Sequence, residues 1–176
     1  MPLLARCLTA AASITAALAL TATPALARTA TVTSFDGTQI HVNFFPAAKL
    51  SSGAKAPTVL LGPGWGQPGV SDENGKTDPA TGAVGPGPLR DAGYNFLTWD
   101  PRGFGQSTGT VEVDSPDFEA RDVSALLDWL AQQPEVQLDG PGDPRAGMAG
   151  PSYGGGIQLA TGPQDNRVDA LVPSIA

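Results

Sequence analysis

The chain is nearly devoid of two residue types that carry much of protein chemistry: it has one cysteine, Cys7, and one histidine, His41, in 176 residues. Cys7 lies in an N-terminal leader described below, so the remainder has no thiol. Disulfides, a thiol nucleophile and cysteine metal sites are thereby excluded. No zinc, calcium or dinucleotide-binding pattern occurs, so no metal and no organic cofactor is expected. "GVSDENGKT" (Gly69 to Thr77) imitates a phosphate loop, but five residues separate its glycines where such a loop has four, and no strand precedes it. Basic residues are also scarce, 10 against 17 acidic. Nothing resembles the clustered basic face that nucleic acid requires.

Residues 1–27 read as an address. Arg6 provides a positive start, "LTAAASITAALALTATP" an apolar stretch, and Ala25 to Ala27 a small-residue cleavage site, so a secretory signal peptide cut after Ala27 is expected. The apolar stretch is short, rich in Ala and Thr, and broken by Pro24, which argues against a membrane span or stable anchor. The expected mature part, residues 28–176, has nine basic and 17 acidic residues, a net charge of −8. It reads as a soluble, exported protein.

That part alternates apolar β-like runs with turns and helical patterns, the rhythm of an α/β fold with a mostly parallel sheet and crossover helices. Two alternating runs flank Asp36-Gly37 and predict a hairpin with His41 on its second strand. "APTVLLG" (Ala56 to Gly62) and "YNFLTWD" read as buried strands. The Gly- and Pro-rich stretch from Gly62 to Pro88 reads as a long loop, and "PLRDAG" as the end of a short helix stopped by Gly93. In "SPDFEARDVSALLDWLAQQ", Ser115 is placed to cap a helix with Pro116 at its first position. Val123, Leu126, Leu127 and Leu130 form its buried stripe. After a Pro-, Gly- and Asp-rich loop come the small-residue strand "AGMAG", a turn at Ser152, a helix beginning "GGIQLATG", and the strand "VDALVPSIA".

The turn carries the chemistry. Gly150, Ser152 and Gly154 form Gly-x-Ser-x-Gly, the frame of a tight strand-to-helix turn that exposes a serine in a strained backbone conformation. Its neighbours must lack side chains, a need Gly150 and Gly154 meet, while Gly155 and Gly156 are expected to let the helix approach the sheet. Ser152 is the candidate nucleophile. A developing oxyanion needs two donors, and the backbone N–H groups of Tyr153 and of Trp65 in "GPGWG" are the candidates. In "DPRGFGQSTG", Asp100 and Arg102 read as a structural ion pair shaping the loop beside the serine.

With "GPSYGG", "DPRGFGQSTG", the "GWG" turn and "RVDALVPSIA", the sequence resembles the α/β-hydrolase superfamily. Within it, the resemblance is to X-Pro dipeptidyl-peptidase-like and cocaine-esterase-like acyl hydrolases. The resemblance spans most of residues 31–176. It implies a cofactor-free serine hydrolase of amide or ester bonds acting on a small-molecule or peptide substrate through Ser152. The chain departs from the pattern at the oxyanion turn, where Pro63-Gly64 replaces His-Gly and Trp65 takes the place of a tyrosine hydroxyl. The fold's triad order is Ser, then Asp or Glu, then His, yet the 24 residues after Ser152 hold Asp165 and Asp169 but no histidine. His41 lies before the first central strand. The expectation is therefore the N-terminal portion of a longer hydrolase, truncated after about the sixth strand. Two alternatives stand beside it: a non-catalytic secreted binding module that retains the serine turn, and a lipase-like esterase of another branch.

Overall fold

The computed structural model describes residues 26–78 and 82–176. Nearly all of the expected signal peptide lies outside the described residues. The elements run β1 (Arg28–Thr33), β2 (Gln39–Phe45), β3 (Thr58–Leu61), α1 (Pro86–Asp91), β4 (Asn95–Trp99), α2 (Glu119–Leu130), β5 (Leu138–Gly140), β6 (Asp143–Pro144), β7 (Ala146–Pro151), α3 (Tyr153–Thr161) and β8 (Val168–Ser174).

Six strands form one sheet in the order β1-β2-β4-β3-β7-β8, and β5 and β6 form a small separate hairpin. β1 runs antiparallel to β2 and β2 to β4, whereas β4, β3, β7 and β8 are mutually parallel. The β1–β2 hairpin turns at Asp36-Gly37 as expected, with Gly37 at φ +89°. That value lies in the left-handed region open to glycine. The main core joins one sheet face to α2 and α3, through Val42, Phe44, Leu60, Leu97 and Met148 against Val123, Leu126, Leu127, Leu130 and Ile157. The opposite face is thinner. Phe45, Leu61, Val70 and Phe96 pack there, with Leu89 of α1 against them. Over β3, β7 and β8 this face opens into a hollow of about 700 Å³ bordered by Val59, Ala149, Ala170 and Val172.

Two expectations need correction. Ser115 does not cap α2, which starts at Glu119. Its hydroxyl instead accepts the Asp117 N–H in a preceding turn, while its own N–H donates to the Glu119 carboxylate at 3.0 Å. Pro116 thus belongs to the turn that leads into the helix. Asp100 and Arg102 also do not pair with each other. The Asp100 carboxylate accepts the N–H groups of Gly69 and Gln106, both at 2.7 Å. Arg102 binds Asp122 of α2 bidentately, twice at 2.7 Å, and Asp36 of the hairpin turn at 3.0 Å. The chain leaves β4 in a turn at Pro101, and each of the two side chains meets a different neighbour.

The Arg102 site is buried, with Ser34 also donating to Asp122 and the guanidinium lying over the Phe35 and Phe118 rings. It locks the first hairpin to α2 and to the loop after β4. Asp36 is held down to about 2, first by the Thr38 backbone N–H, with Arg102 adding to it. Removing the cation leaves Asp122 buried and unpaired, a loss of about 3–5 kcal/mol. Arg102→Met should lower the urea midpoint accordingly, and Arg102→Met combined with Asp122→Leu should recover much of the loss.

Candidate active site

The strand-to-helix turn is built by backbone crowding. Near the end of β7 Gly150 has φ +149°, and Ser152, just after the strand, has φ +53°. A Cβ on Gly154 would lie 2.0 Å from the Gly62 carbonyl oxygen at the end of β3, and one on Gly150 would lie 2.8 Å from the same atom. A side chain at either position would collide with rigid backbone. The Ser152 N–H donates to the Ser174 carbonyl of β8 at 2.9 Å, and the Ser152 carbonyl accepts from Gly155 and Gly156. Ser152 itself is exposed, and its Oγ has no hydrogen-bond partner among the described residues.

A buried glutamine secures the turn, and the sequence reading missed it. Gln158 of α3 donates to the carbonyls of Gly150 at 3.2 Å and Gly154 at 2.7 Å, while its Oε1 accepts the Val172 N–H at 2.9 Å. One side chain ties β7, α3 and β8 together. Only the oddity of a glutamine on an otherwise apolar helix face signalled it. Gly155 faces Ser174 of β8 as expected, but Gly156 faces the Asp114 carboxylate, where a Cβ would stand 2.1 Å from Oδ2.

The structure brings Trp65 and Tyr153 together. Their rings meet edge to face with centroids 5.2 Å apart, and Phe104 joins both at 5.3 and 5.8 Å. Trp65 is 56% exposed and Tyr153 7%. Neither backbone N–H has an acceptor among the described residues, so both remain free to donate. The Tyr153 hydroxyl donates to Glu119 at 3.2 Å and accepts the Asp114 N–H at 3.3 Å. Burial, foremost, raises its pKa.

The titratable candidates lie elsewhere. His41 is on β2, three strands from β7, which places it roughly 14 Å from the turn at ordinary strand spacing. Its ring contacts Gln106. Asp165 is bound to Arg167 at 2.7 Å, which holds it down to about 2. Asp169 accepts the Ala146 N–H at the start of β7, about 16 Å along the strands from Ser152. None of the three can serve Ser152 as general base or its orienting acid. Among the described residues no cluster of His, Cys, Asp and Glu could hold a metal ion.

A family model described as X-Pro dipeptidyl-peptidase (S15 family) matches residues 36–176. An uncharacterized 31.7 kDa protein of Escherichia coli is 31% identical over 86 residues, 49% of this chain and 28% of that protein. Among solved structures, a CocE/NonD family hydrolase from Staphylococcus aureus superimposes with TM-score 0.61 at 22% identity, covering 82% of this chain and 26% of that one. Acetyl xylan esterase 1 from Thermoanaerobacterium also gives 0.61, at 24% identity, covering 84% and 47%. The fold is that of an α/β-hydrolase. The chain spans less than half the length of each of these relatives.

Gly154→Ala forces two backbones apart, because the atom it meets is a carbonyl rather than a flexible side chain. Overpacking of this kind costs about 3 kcal/mol or more. A thermal melt should show a large fall in Tm, or no folded protein.

Proposed function

The chain belongs to the X-Pro dipeptidyl-peptidase (S15) family, and from that premise we propose that it carries the nucleophile half of a serine hydrolase of amide or ester bonds. The observation that supports this most is the exposed Ser152 hydroxyl at φ +53°, at the N-terminus of α3, with no partner among the described residues and with the free backbone N–H of Tyr153 next to it in the chain.

In this reading the Ser152 Oγ attacks the carbonyl carbon of the substrate. The carbonyl oxygen becomes an oxyanion held by the Tyr153 and Trp65 N–H groups, with the positive end of α3 adding to the attraction. Collapse of the tetrahedral intermediate breaks the scissile bond, releases an amine or alcohol and leaves an acyl-serine ester. Water then attacks the ester and returns the hydroxyl. Each attack needs a base to take a proton, and each departure needs an acid to give one. The groups placed for those transfers are proposed to lie in sequence after Ala176, in the order acid then histidine that this fold uses. Loss of the base of a serine triad removes about 10⁶ in kcat. The 176-residue chain is therefore proposed to be nearly inactive alone, and to be exported by its N-terminal leader. The family relationship leaves both peptide and ester substrates in play, and the named neighbours include an esterase.

A fluorophosphonate probe tests the nucleophile directly. The chain continued by its downstream genomic sequence should label at one site, and Ser152→Ala in that longer form should abolish labelling. Folded protein that never labels would overturn the assignment in favour of a binding module.

A further inference from the structure

Asp114 takes no part in the steps above, yet the structure treats it as a special position. Val113 and Asp114 are consecutive non-glycine residues in left-handed backbone, at φ +59° and +53°. Such strain, above all at a β-branched valine, persists only where the surroundings impose it and concentrates at functional sites. The Asp114 Oδ1 is buried and has no hydrogen-bond partner among the described residues. The other oxygen lies against Gly156, in the first turn of α3, in space that any side chain would fill. The backbone N–H of Asp114 donates to the Tyr153 hydroxyl, which in turn donates to Glu119. Glu119 is itself fixed by the N–H groups of Glu112 at 2.6 Å and Ser115 at 3.0 Å.

We propose that Asp114 and Glu119 are positioning acids for the oxyanion site. Glu119 fixes the Tyr153 ring at the start of α3, and the proton on Asp114 controls the electrostatic pull of that helix end on an anion. This rests on the reading of Tyr153 N–H as an oxyanion donor.

The groups facing Asp114 are Glu119 from α2 and Tyr153 from α3, and α3 carries no charged side chain of its own. Among the described residues no cation compensates: Arg102 is bound by Asp122 and Asp36, and Arg121 lies over the Phe35 ring. Burial, then Glu119, pushes Asp114 up to about 7. Below that pH it is neutral, and the positive end of α3 is uncancelled. Above it, a carboxylate in the first turn offsets the helix dipole and repels a bound oxyanion. Oxyanion binding, and with it acylation, should therefore weaken roughly 10-fold as pH rises through the Asp114 midpoint.

The experiment is an NMR titration of the 176-residue chain from pH 5 to 9, following the Asp114 side-chain carboxyl carbon and the Tyr153 and Gly154 amides. The carboxyl should titrate near 7, and both amides should shift with the same midpoint. In Asp114→Asn, which sacrifices no side-chain hydrogen bond, the amide shifts should vanish. Tyr153→Phe should keep the carboxyl titration while weakening its transmission to the amides. Asp114 titrating in the ordinary carboxylate range, amides that ignore its ionisation, or the same amide midpoint in Asp114→Asn would each overturn the proposal. None of these readouts needs Ser152 to react, so failure here is separate from failure of the fluorophosphonate test.

Discussion

The candidate site depends on the approach of two backbones. The carbonyl of Gly62, at the end of β3, occupies the place where a side chain on Gly154 would begin, 2.0 Å from that Cβ position. Because β3 is hydrogen-bonded to β7 in parallel register from Thr58↔Ala146 to Leu61↔Ala149, the chain leaving β7 has little room before it meets β3's exit. It must turn at once, and the turn is sharp enough to force Ser152 to φ +53°. Exposure of the hydroxyl, the start of α3 and the orientation of the Tyr153 N–H all follow from that one steric limit. Gln158 and the Ser174 carbonyl then hold the strained turn, the first by donating to the Gly150 and Gly154 carbonyls and the second by accepting the Ser152 N–H.

Features fixed by local rules were legible in the sequence. The Asp36-Gly37 turn, the stripe of α2, the Gly93 stop and the Gly-x-Ser-x-Gly turn each rest on a requirement that only a few residue types satisfy. What was not legible depended on pairings distant in the chain. Asp100 and Arg102, two residues apart, looked like partners. Arg102 instead reaches 66 residues back to Asp36 and 20 forward to Asp122. The misplaced start of α2 has a similar origin. Ser115 and Glu119 do interact, but side chain to backbone across a turn that precedes the helix, a pattern that looks in sequence like a cap. Phe104 carried no signal, and Gln158 only that of a polar residue on an apolar helix face, because their roles appear only when the loop after β4, the "GPGWG" turn and β8 converge on one strand end.

The charged groups divide into two kinds, and the division follows the path from scaffold to site. Arg102 and Arg167 each bind two carboxylates, so their charge is spent on joining elements. Near α3 the balance reverses, with Asp114 and Glu119 beside Tyr153 and no cation within their hydrogen bonds. An acidic pair at a helix N-terminus would ordinarily strengthen the helix. If the N-terminus of α3 receives an oxyanion, as proposed, the same charge competes with it.

The proposed nucleophile, Ser152, and the proposed oxyanion donors leave strands that are neighbours in the sheet. Trp65 follows β3, Tyr153 follows β7, and the two strands share a hydrogen-bond ladder. This half of the machinery needs only the central sheet. A base for Ser152 has no such route within these residues. A side chain on the far side of β4, as His41 is, stays separated by the width of the sheet however the loops move. In the proposed reading, the element that brings the base approaches from the β8 side, where the hollow over Val59, Ala149 and Val172 is open. On that proposal, an element packed beside β8 would cover the apolar hollow and also end next to Ser174, whose carbonyl already holds the serine turn.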